Sequence, residues 1–413
     1  MTAEKPVSKT SRRGLLQAGL GGVGALAAAG PALAQDYITT AMKTPGRAFS
    51  AYGMPASYEA GVKRLVGAPG VNPGTGASRT PLEMLEGIIT PSGLHYERHH
   101  NGIPDIDPAS HRLLLHGLVK NPLEFSMDTL MRYPRVSAMH FMECGGNSGG
   151  NSGPTPPQLT AGGIHGLLSC SEWTGVKLGP LLDEAGVLPD GKWILAESGD
   201  AAGLSRSVPL AAVHEQGLLA LYQNGERLRP EQGYPVRLLM PGWEGNLNIK
   251  WLHRLKVVPG PINTKDETSK YTQLQPDGKA RQFNLVLPVK SVITRPSGNM
   301  TMSGAGFYEV SGVAWSGHGV ITKVEVSLDG GATWGNAEMP GPVLPRCLTK
   351  FRLAWDWDGK PATIMSRATD EMGNVQPSHA VWAAQFAPGQ AYHNNGIQCW
   401  AIGADNSVKN SYA

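Results

Sequence analysis

The sequence predicts an α+β domain followed by an immunoglobulin-like β-sandwich. Between about residues 95 and 258, short apolar strands and short helices are mixed without the regular βαβ rhythm of a doubly wound sheet. From about residue 290 onwards, short alternating segments recur at the spacing of a sandwich, and Asp329-Gly330 is a hairpin turn signal. A polar stretch at 259–289 separates the two patterns and is predicted to be a linker.

The composition is that of a globular protein. The chain of 413 residues is long enough for two or three domains, and its 41% hydrophobic and 17% charged residues argue against a disordered or membrane protein. The formal net charge is +3, but residues 1–34 hold four of the 36 basic and one of the 33 acidic residues. The rest of the chain therefore carries 32 of each, so net charge gives no argument for nucleic-acid binding.

Residues 1–34 have the pattern of a twin-arginine signal peptide. The pair Arg12-Arg13 precedes an apolar, alanine-rich stretch, and Ala32-Leu33-Ala34 is an A-x-A cleavage site. The alternative is a transmembrane helix that is kept as an anchor. Cleavage is favoured by the A-x-A site, so we expect a periplasmic protein that is exported folded and has no membrane anchor after cleavage.

The segments after the leader are predicted in order. Residues 35–94, rich in Gly, Pro and Thr, are expected to form an irregular N-terminal arm, and Ser126 is a candidate N-cap. Gly186 is a candidate helix stop, and Asn224-Gly225 is a turn signal. The predicted strands of domain 95–258 are 113–119, 135–143, 192–197, 218–222 and 236–240, its main helices are 178–185 and 209–216, and the strands of domain 290–413 are 306–314, 322–328, 350–355 and 362–368.

One cysteine lies at the end of a predicted buried strand. In RVSAMHFMECGGNSGG, residues 135–143 are expected to be covered on both faces by largely apolar neighbours, and Cys144 ends the strand. The glycine-rich residues 145–150 cannot continue it, but they let backbone N–H groups approach a bulky anionic ligand. A thiol in this position suits a soft metal; the alternative interpretation is a small buried hydrophobic residue.

Several segments resemble the sulfite oxidase family of molybdenum enzymes. MECGGN resembles the family's C-x-G-N segment, in which the cysteine thiolate binds molybdenum. RLLLHGLVKNPLEFSMDTL precedes it, and SCSEWTGVKLGPLLDEAG and QNGERLRPEQGYPVRLLMPGWEGNLNIKWLHRLKV follow in the family's order. VEVSLDGGATW and RATDEMGNVQP resemble the family's dimerisation domain. Within the family, the likeness is greatest to the molybdenum subunits of bacterial sulfane dehydrogenases.

This resemblance implies a molybdenum-molybdopterin cofactor and the residues that hold it. Cys144 would bind the metal, and Arg98 would contact both the pterin and the substrate anion. Arg206 is implied as a further substrate contact. The other implied cofactor-binding residues are His99, His100, Asn101, Asp200, Arg237, Asn248, Ile249 and Lys250.

Departures from the sulfite-oxidising pattern concern the substrate pocket. Ser148 and Gly149 stand where the family carries arginines after C-x-G-N, and Gln232 replaces a histidine. The family's active-site tyrosine is expected at Leu221, with Tyr222 one residue late and therefore on the opposite face of its strand. We expect a family-like metal centre with a less charged and roomier substrate pocket.

The implied function is periplasmic, molybdenum-dependent oxidation of inorganic sulfur by oxygen-atom transfer, with protein-bound sulfane sulfur or sulfite as substrate. The four cysteines form no C-x-x-C-H motif, so we expect no haem in this chain and a c-type cytochrome as acceptor or subunit. A sulfur-carrier protein is a further expected partner, and the chain is expected to form a homodimer or a hetero-oligomer with the cytochrome. Cys170, Cys347 and Cys399 allow one disulfide in the periplasm, but the sequence does not pair them.

The same residues allow other functions. Residues 146–150 satisfy G-x-S-x-G with Ser148 as a hydrolase nucleophile, but no helix is predicted to follow, as a nucleophile elbow requires. His95, His99 and His100 give only a weak zinc signature. A periplasmic methionine sulfoxide reductase of the same cofactor class and a secreted, non-catalytic sandwich that binds a partner are the remaining alternatives.

Overall fold

The computed structural model describes residues 39–386 and 393–412, in two compact units, 1–60 and 61–413. The predicted signal peptide lies outside the described residues. In the first unit, α1 (Thr40–Lys43) and a 3-10 turn (Ser57–Glu59) contain no buried residue. The second unit holds all the elements described below.

The predicted irregular arm contributes strands to a small sheet. Strands β1 (Leu65–Val66), β2 (Gly76–Arg79) and β3 (Glu97–His99) pair in the order β1-β2-β3. Ala77 is the partner of Arg98 in this antiparallel sheet. The arm therefore fixes the backbone of Arg98, which the Gly- and Pro-rich composition of 61–94 did not indicate.

The first domain is built on two mainly antiparallel sheets, which confirms the α+β prediction. The bounds of its elements are β4 (Arg112–Gly117), β5 (Leu123–Ser126), α2 (Met127–Leu130), β6 (Arg135–Glu143), α3 (Ala161–His165), β7 (Leu168–Lys177), α4 (Leu178–Ala185), β8 (Trp193–Ser198), β9 (Ser205–Pro209), α5 (Leu210–Gln216), β10 (Leu218–Gln223), β11 (Glu226–Arg227), β12 (Arg237–Leu239) and β13 (Leu252–Val258). One sheet has the order β11-β10-β7-β6, with β12 also paired to β10. The other has the order β5-β4-β13-β8-β9, in which only β4 and β13 are parallel.

The predicted caps and stops lie where the sequence placed them. The Ser126 side chain accepts a hydrogen bond from the Thr129 N–H at the start of α2. α4 ends at Gly186, whose φ of 66° is the left-handed conformation that favours glycine. Asn224 and Gly225 both have positive φ and close the β10-β11 hairpin.

The stretch predicted as a linker is folded onto the first domain. It contains α6 (Lys265–Ser269), which begins with a capping box between Thr264 and Glu267, and the hairpin β14 (Gln273–Leu274) and β15 (Ala280–Arg281). The Glu267 carboxylate is fully buried and accepts a hydrogen bond from the Ser207 hydroxyl at 3.2 Å. A polar composition therefore does not make this stretch a free connection, because its charged side chain satisfies buried donors of β9.

The second domain is a two-sheet β-sandwich, as predicted. The bounds of its elements are β16 (Lys290–Arg295), β17 (Gly306–Trp315), β18 (Ile321–Ser327), β19 (Gly335–Asn336), β20 (Thr349–Trp357), β21 (Ala362–Asp370), α7 (His379–Ala383), β22 (Cys399–Ile402) and β23 (Val408–Ser411). Its two sheets have the orders β16-β17-β20 and β19-β18-β21-β22-β23. Strands β16, β19, β22 and β23 were not predicted.

The two domains share one hydrophobic core. Phe141 and Leu168 of the first domain belong to the same buried cluster as Val292, Phe351 and Trp400 of the sandwich. The prediction that the strand before Cys144 is covered on both faces is wrong for its first half, since residues 135–138 are exposed. β6 is the last strand of its sheet, and only its second half reaches the sandwich.

No helix in the described part of the chain is long and apolar enough to cross a membrane.

Candidate active site

A cleft at the edges of both first-domain sheets collects most of the predicted site residues. The space between its walls is about 630 Å³, with the open solvent at its mouth included. The lining residues are Tyr96, Arg98, His99, His100, Met142, Cys144, Ser198, Asp200, Leu204, Gln232, Arg237, Gly245, Asn246, Asn248, Lys250, Trp251 and Tyr271.

Cys144 is held rigidly at the wall of this cleft. Its N–H donates to the Leu167 carbonyl at 2.9 Å, and its carbonyl accepts from the Asn147 N–H at 2.9 Å. A Cβ added at Gly245 would lie 2.8 Å from the Glu143 carbonyl oxygen, so only glycine lets this loop pack beside the cysteine. Burial raises the pKa of the Cys144 thiol. A metal that binds the thiolate would therefore displace a proton.

Three cations converge on the cleft. Arg98 lies on β3, Arg237 begins β12, and Lys250 follows the 3-10 turn Gly245–Leu247. Asp200, in the loop after β8, is the one acidic side chain that lines the cleft among the described residues. The site therefore has an excess of positive charge and suits an anionic ligand.

Arg237 shows this excess most clearly. Its guanidinium is buried, donates to the carbonyls of Gln232 at 2.8 Å and Asn248 at 3.0 Å, and lies 5.2 Å from the centre of the Trp173 ring. Its Nε has no hydrogen-bond partner among the described residues. Burial lowers the pKa of Arg237 to about 10, so it stays charged at neutral pH. A buried cation with an unused donor indicates a ligand acceptor.

Lys250 and Trp251 form the adjacent wall. Lys250 Nζ donates to the carbonyls of Arg98 at 3.2 Å and Glu231 at 3.1 Å and contacts His99 Nδ1 at 2.7 Å. Burial lowers the pKa of Lys250 and that of His99, the latter to about 3. Neutral His99 thus accepts from Lys250. Trp251 has φ of 49°, unusual for a large side chain, and its ring lies 4.3 Å from Lys250 Nζ.

Two predicted cofactor residues do not present their side chains to the cleft. Asn101 is exposed, and Ile249 is fully buried in the hydrophobic core, where its carbonyl accepts from the Leu238 N–H at 2.8 Å. Asn248 lines the cleft but acts mainly as a brace. Its Oδ1 accepts from the Met240 N–H at 2.7 Å, and its Nδ2 donates to the Glu244 carbonyl at 3.0 Å.

Arg206, predicted as a substrate contact, is buried behind the lining. It donates to Asn246 Oδ1 and lies 4.7 Å from the centre of the Tyr271 ring, and both neighbours line the cleft. Its Nε is 3.7 Å from the Glu267 carboxylate, and its Nε and Nη2 form no hydrogen bond among the described residues. Arg206 therefore supports the cleft wall electrostatically from behind.

Tyr271 is the main lining residue that the sequence reasoning missed. Leu221, the expected tyrosine position, is buried in the core, and the Tyr222 hydroxyl lies 3.9 Å from Met131 Sδ, away from the cleft. The Tyr271 hydroxyl instead contacts His100 Nε2 at 3.1 Å, and burial raises its pKa. The available signal was a single aromatic residue in the polar run KDETSKYTQ, which favours burial of that residue.

The loop after Cys144 turns its polar side chains away from the cleft into the domain junction. Ser148 Oγ accepts from Lys290 Nζ at 2.7 Å and lies 2.6 Å from Nδ1 of buried His165. Lys290 Nζ is also 3.4 Å from Glu143, whose carboxylate accepts from Trp315 Nε1 at 2.7 Å. Ser148 is only 2% exposed. A substrate cannot reach it, which argues against the hydrolase alternative.

The cleft fits a molybdenum-pterin group. The fit rests on the Cys144 thiol at one wall, an unpaired buried Nε donor on Arg237, and an unpaired buried oxygen of Asp200. Thiolate suits a soft metal, cations suit a phosphate, and a carboxylate suits the N–H groups of a pterin. Within the described residues no three His, Cys, Asp or Glu side chains form a metal-binding group of their own.

Two family models match the chain. Residues 100–265 match an oxidoreductase molybdopterin binding domain. Residues 281–399 match a Mo-co oxidoreductase dimerisation domain. The predicted molybdopterin cofactor and the predicted succession of a cofactor domain and a dimerisation domain are thereby confirmed.

The chain is also similar to characterised proteins. It is 30% identical over 350 residues to mitochondrial sulfite oxidase of Mus musculus, and this alignment covers 77% of this chain and 63% of that protein. It is 30% identical over 389 residues to NAD(P)H nitrate reductase of Hordeum vulgare, covering 79% and 41%. The crystal structure of the sulfane dehydrogenase SoxCD from Paracoccus pantotrophus matches with a TM-score of 0.88 and 43% identity, over 92% of this chain and 98% of that one.

The ion pair behind Cys144 yields a stability prediction. Replacing Lys290 by Met leaves buried Glu143 without its cation, and we expect a loss of about 3 to 5 kcal/mol in the free energy of unfolding. The double variant E143Q/K290M should recover part of this loss, because no uncompensated charge remains. Urea unfolding of the three proteins measures both effects. Equal stability of K290M and the unmodified chain would contradict the pair's role.

Glu244 yields a pH prediction. Burial raises its pKa to about 7, and it accepts from Asn246 at 3.0 Å and Asn284 at 3.4 Å, with Arg206 and Glu143 as charged neighbours. The folded state keeps the proton that the unfolded state loses near pH 4.5, so stability falls as pH rises from 4.5 to 7, by about 3 kcal/mol.

The matched variant for this measurement is Glu244→Gln, which removes the titration and keeps the shape. The difference in unfolding free energy between the unmodified chain and E244Q should decrease over this pH window, because all other titrating groups cancel in the difference. A pH-independent difference would show that Glu244 titrates normally.

Proposed function

Since the chain belongs to the sulfite oxidase family of molybdenum enzymes, we propose that it oxidises inorganic sulfur at a molybdenum centre held by Cys144. The likeness to a solved sulfane dehydrogenase over nearly its whole length supports sulfur over nitrate chemistry. The alignment spans only 63% of mouse sulfite oxidase and 41% of barley nitrate reductase, so neither relative defines the activity of this chain.

The observation that carries the proposal is the position of Cys144. Among the described residues it is the one cysteine that is not fully buried, and it lines a cleft rich in cations. A non-catalytic sandwich protein would have no use for this arrangement. The molybdenum-pterin group supplies, when bound, a two-electron oxidation coupled to oxygen-atom transfer.

The chain's own residues hold the cofactor and orient the substrate. Arg237 and Lys250 offset the charge of a pterin phosphate, and Asp200 accepts from pterin N–H groups. Arg98 is partly exposed in the cleft and attracts the substrate oxyanion. Tyr271 and His100, joined by their hydrogen bond, form a neutral wall beside it. Because burial lowers the pKa of His100 to about 4, this wall adds no charge near neutral pH.

The substrate proposal is sulfane sulfur carried on another protein. Residues 145–150 include no arginine or lysine, and none of them lines the cleft, so the loop adds no cation to it. A free sulfite dianion needs several convergent cations, whereas a persulfide on a carrier presents less charge. The smaller charge of a carrier-bound persulfide is offset by Arg98 in the cleft and by Arg206 behind its wall.

Electron transfer, location and assembly complete the proposal. We propose a separate c-type cytochrome as acceptor or subunit, because the four cysteines of the chain form no haem motif. The twin-arginine pattern supports a periplasmic location, where a sulfur carrier and a cytochrome are both accessible. The dimerisation domain supports association of two copies of the chain.

The metal-binding role of Cys144 is tested by substitution. Cys144→Ser should lower kcat more than about 100-fold, because even partners that only orient metal ligands are worth 10- to 100-fold. Turnover with an artificial electron acceptor, molybdenum content by mass spectrometry and the melting temperature are measured together. Cys399→Ser is the control and should keep its activity. A molybdenum-loaded C144S protein with full turnover would overturn the assignment.

The substrate proposal is tested by steady-state kinetics. A persulfidated cysteine peptide should give a higher kcat/KM than free sulfite. Arg98→Gln should lower kcat/KM for sulfite by roughly 10- to 150-fold, the value of one charge-assisted hydrogen bond, and lower that for the persulfide less. A higher kcat/KM for sulfite in the unmodified enzyme would show that its few cations suffice.

A further inference from the structure

Two thiols meet in the core between the domains. Cys170 lies on β7 of the first domain, and Cys347 precedes β20 of the sandwich, 177 residues later. Their sulfur atoms are 3.4 Å apart, and the residues are 0% and 1% exposed. Of the three cysteines whose pairing the sequence left open, Cys170 and Cys347 are in contact.

Both backbones are fixed, so the contact does not depend on a mobile loop. Cys170 donates its N–H to Thr90 Oγ1 at 3.1 Å and accepts from the Thr90 N–H at 2.7 Å. The residue before Cys347, Arg346, donates to the Gly319 carbonyl at 3.0 Å and accepts from the Phe141 N–H at 3.0 Å. The last contact joins the sandwich segment to the strand beside Cys170, since Phe141 pairs with Cys170.

We propose that Cys170 and Cys347 are a site of oxidative modification, at which a small hydroperoxide closes a disulfide between the two domains. This inference concerns the domain junction and does not depend on the proposed function. The thiol contact and the fixed backbones carry it, because disulfide formation requires the two sulfur atoms to approach without backbone movement.

The chemistry balances with hydrogen peroxide as oxidant. The Cys347 thiol first loses its proton, and the thiolate attacks one peroxide oxygen. The O–O bond breaks, a sulfenic acid forms, and the departing hydroxide takes up the released proton as water. Cys170 sulfur then attacks the sulfenic sulfur, the S–S bond forms, the S–O bond breaks, and the thiol proton leaves with hydroxide as a second water. The hydrogen bond from the Cys170 thiol lowers the pKa of Cys347, which favours Cys347 as the first nucleophile.

Burial decides which oxidants can act. A bulky thiol reagent or an oxidoreductase cannot reach two side chains that are at most 1% exposed in the folded chain. A hydroperoxide is close to the size of water and needs only a brief opening of the core. The second step needs no reagent, since Cys170 is already in contact.

The expected consequence is a more stable domain junction. A bridge across 177 residues restricts the unfolded chain strongly, and we expect the melting temperature to rise by roughly 5 °C. The junction also holds Lys290 against Glu143 behind Cys144, so the bridge would protect the support of the metal-binding loop.

The test treats the full-length folded protein with hydrogen peroxide, blocks remaining thiols after denaturation, and analyses its peptides by mass spectrometry. We expect a peptide pair joining Cys170 and Cys347, lighter by two hydrogens, together with a higher melting temperature that a reducing agent reverses. Cys399→Ser should leave this pair intact, and C170S and C347S should each abolish it.

Three results would overturn the proposal. These are recovery of both cysteines as blocked free thiols, their separate oxidation to sulfinic acids, and a bridge that joins either of them to Cys399. The unmodified protein alone gives these readings, so the test stands even if a serine variant fails to fold.

Discussion

The support of the loop that carries Cys144 depends on one buried carboxylate, that of Glu143. A carboxylate that is removed from water needs hydrogen-bond donors. The donors to Glu143 are Asn147, Trp315 and Lys290, at 2.9, 2.7 and 3.4 Å. Two of these three donors belong to the sandwich. Separation of the domains would leave a buried charge unpaired on both sides. The sandwich is thus part of the support of Cys144, the adjacent residue.

The cleft on the other side of Cys144 has an excess of positive charge. Arg98, Arg237 and Lys250 converge there with one lining carboxylate among the described residues. Such a cluster is unfavourable without a counter-ion. Burial, and after it the charge of Arg237, lowers the pKa of Lys250. A bound polyanionic cofactor removes the cost and stabilises the fold by mass action. Cofactor affinity and folded-state stability are therefore linked in this chain.

The glycine-rich loop separates these two environments. Asn147 and Ser148 direct their side chains to the junction, while Cys144 faces the cleft. The presence of Ser148 and Gly149, where the resemblance to the sulfite-oxidising pattern implies arginines, has two effects. It removes cationic side chains from the loop, and it lets a small serine accept a hydrogen bond from Lys290 in the core, where an arginine would carry an additional charge into a site that already holds a cation.

The sequence by itself determined what depends on local pattern. Four features each depend on a few neighbouring residues: the strand period, the Ser126 cap, the Gly186 stop and the Asn224-Gly225 turn. The motif around Cys144 indicated the family. Only the tertiary structure decided what depends on contacts between distant residues. It brought Tyr271 from a polar stretch to the cleft, placed Arg206 behind its wall, and supplied Lys290 and Trp315 from the sandwich. The physical reason is that a buried polar group must find its partner in three dimensions, and the choice of partner leaves no periodic signal in the chain.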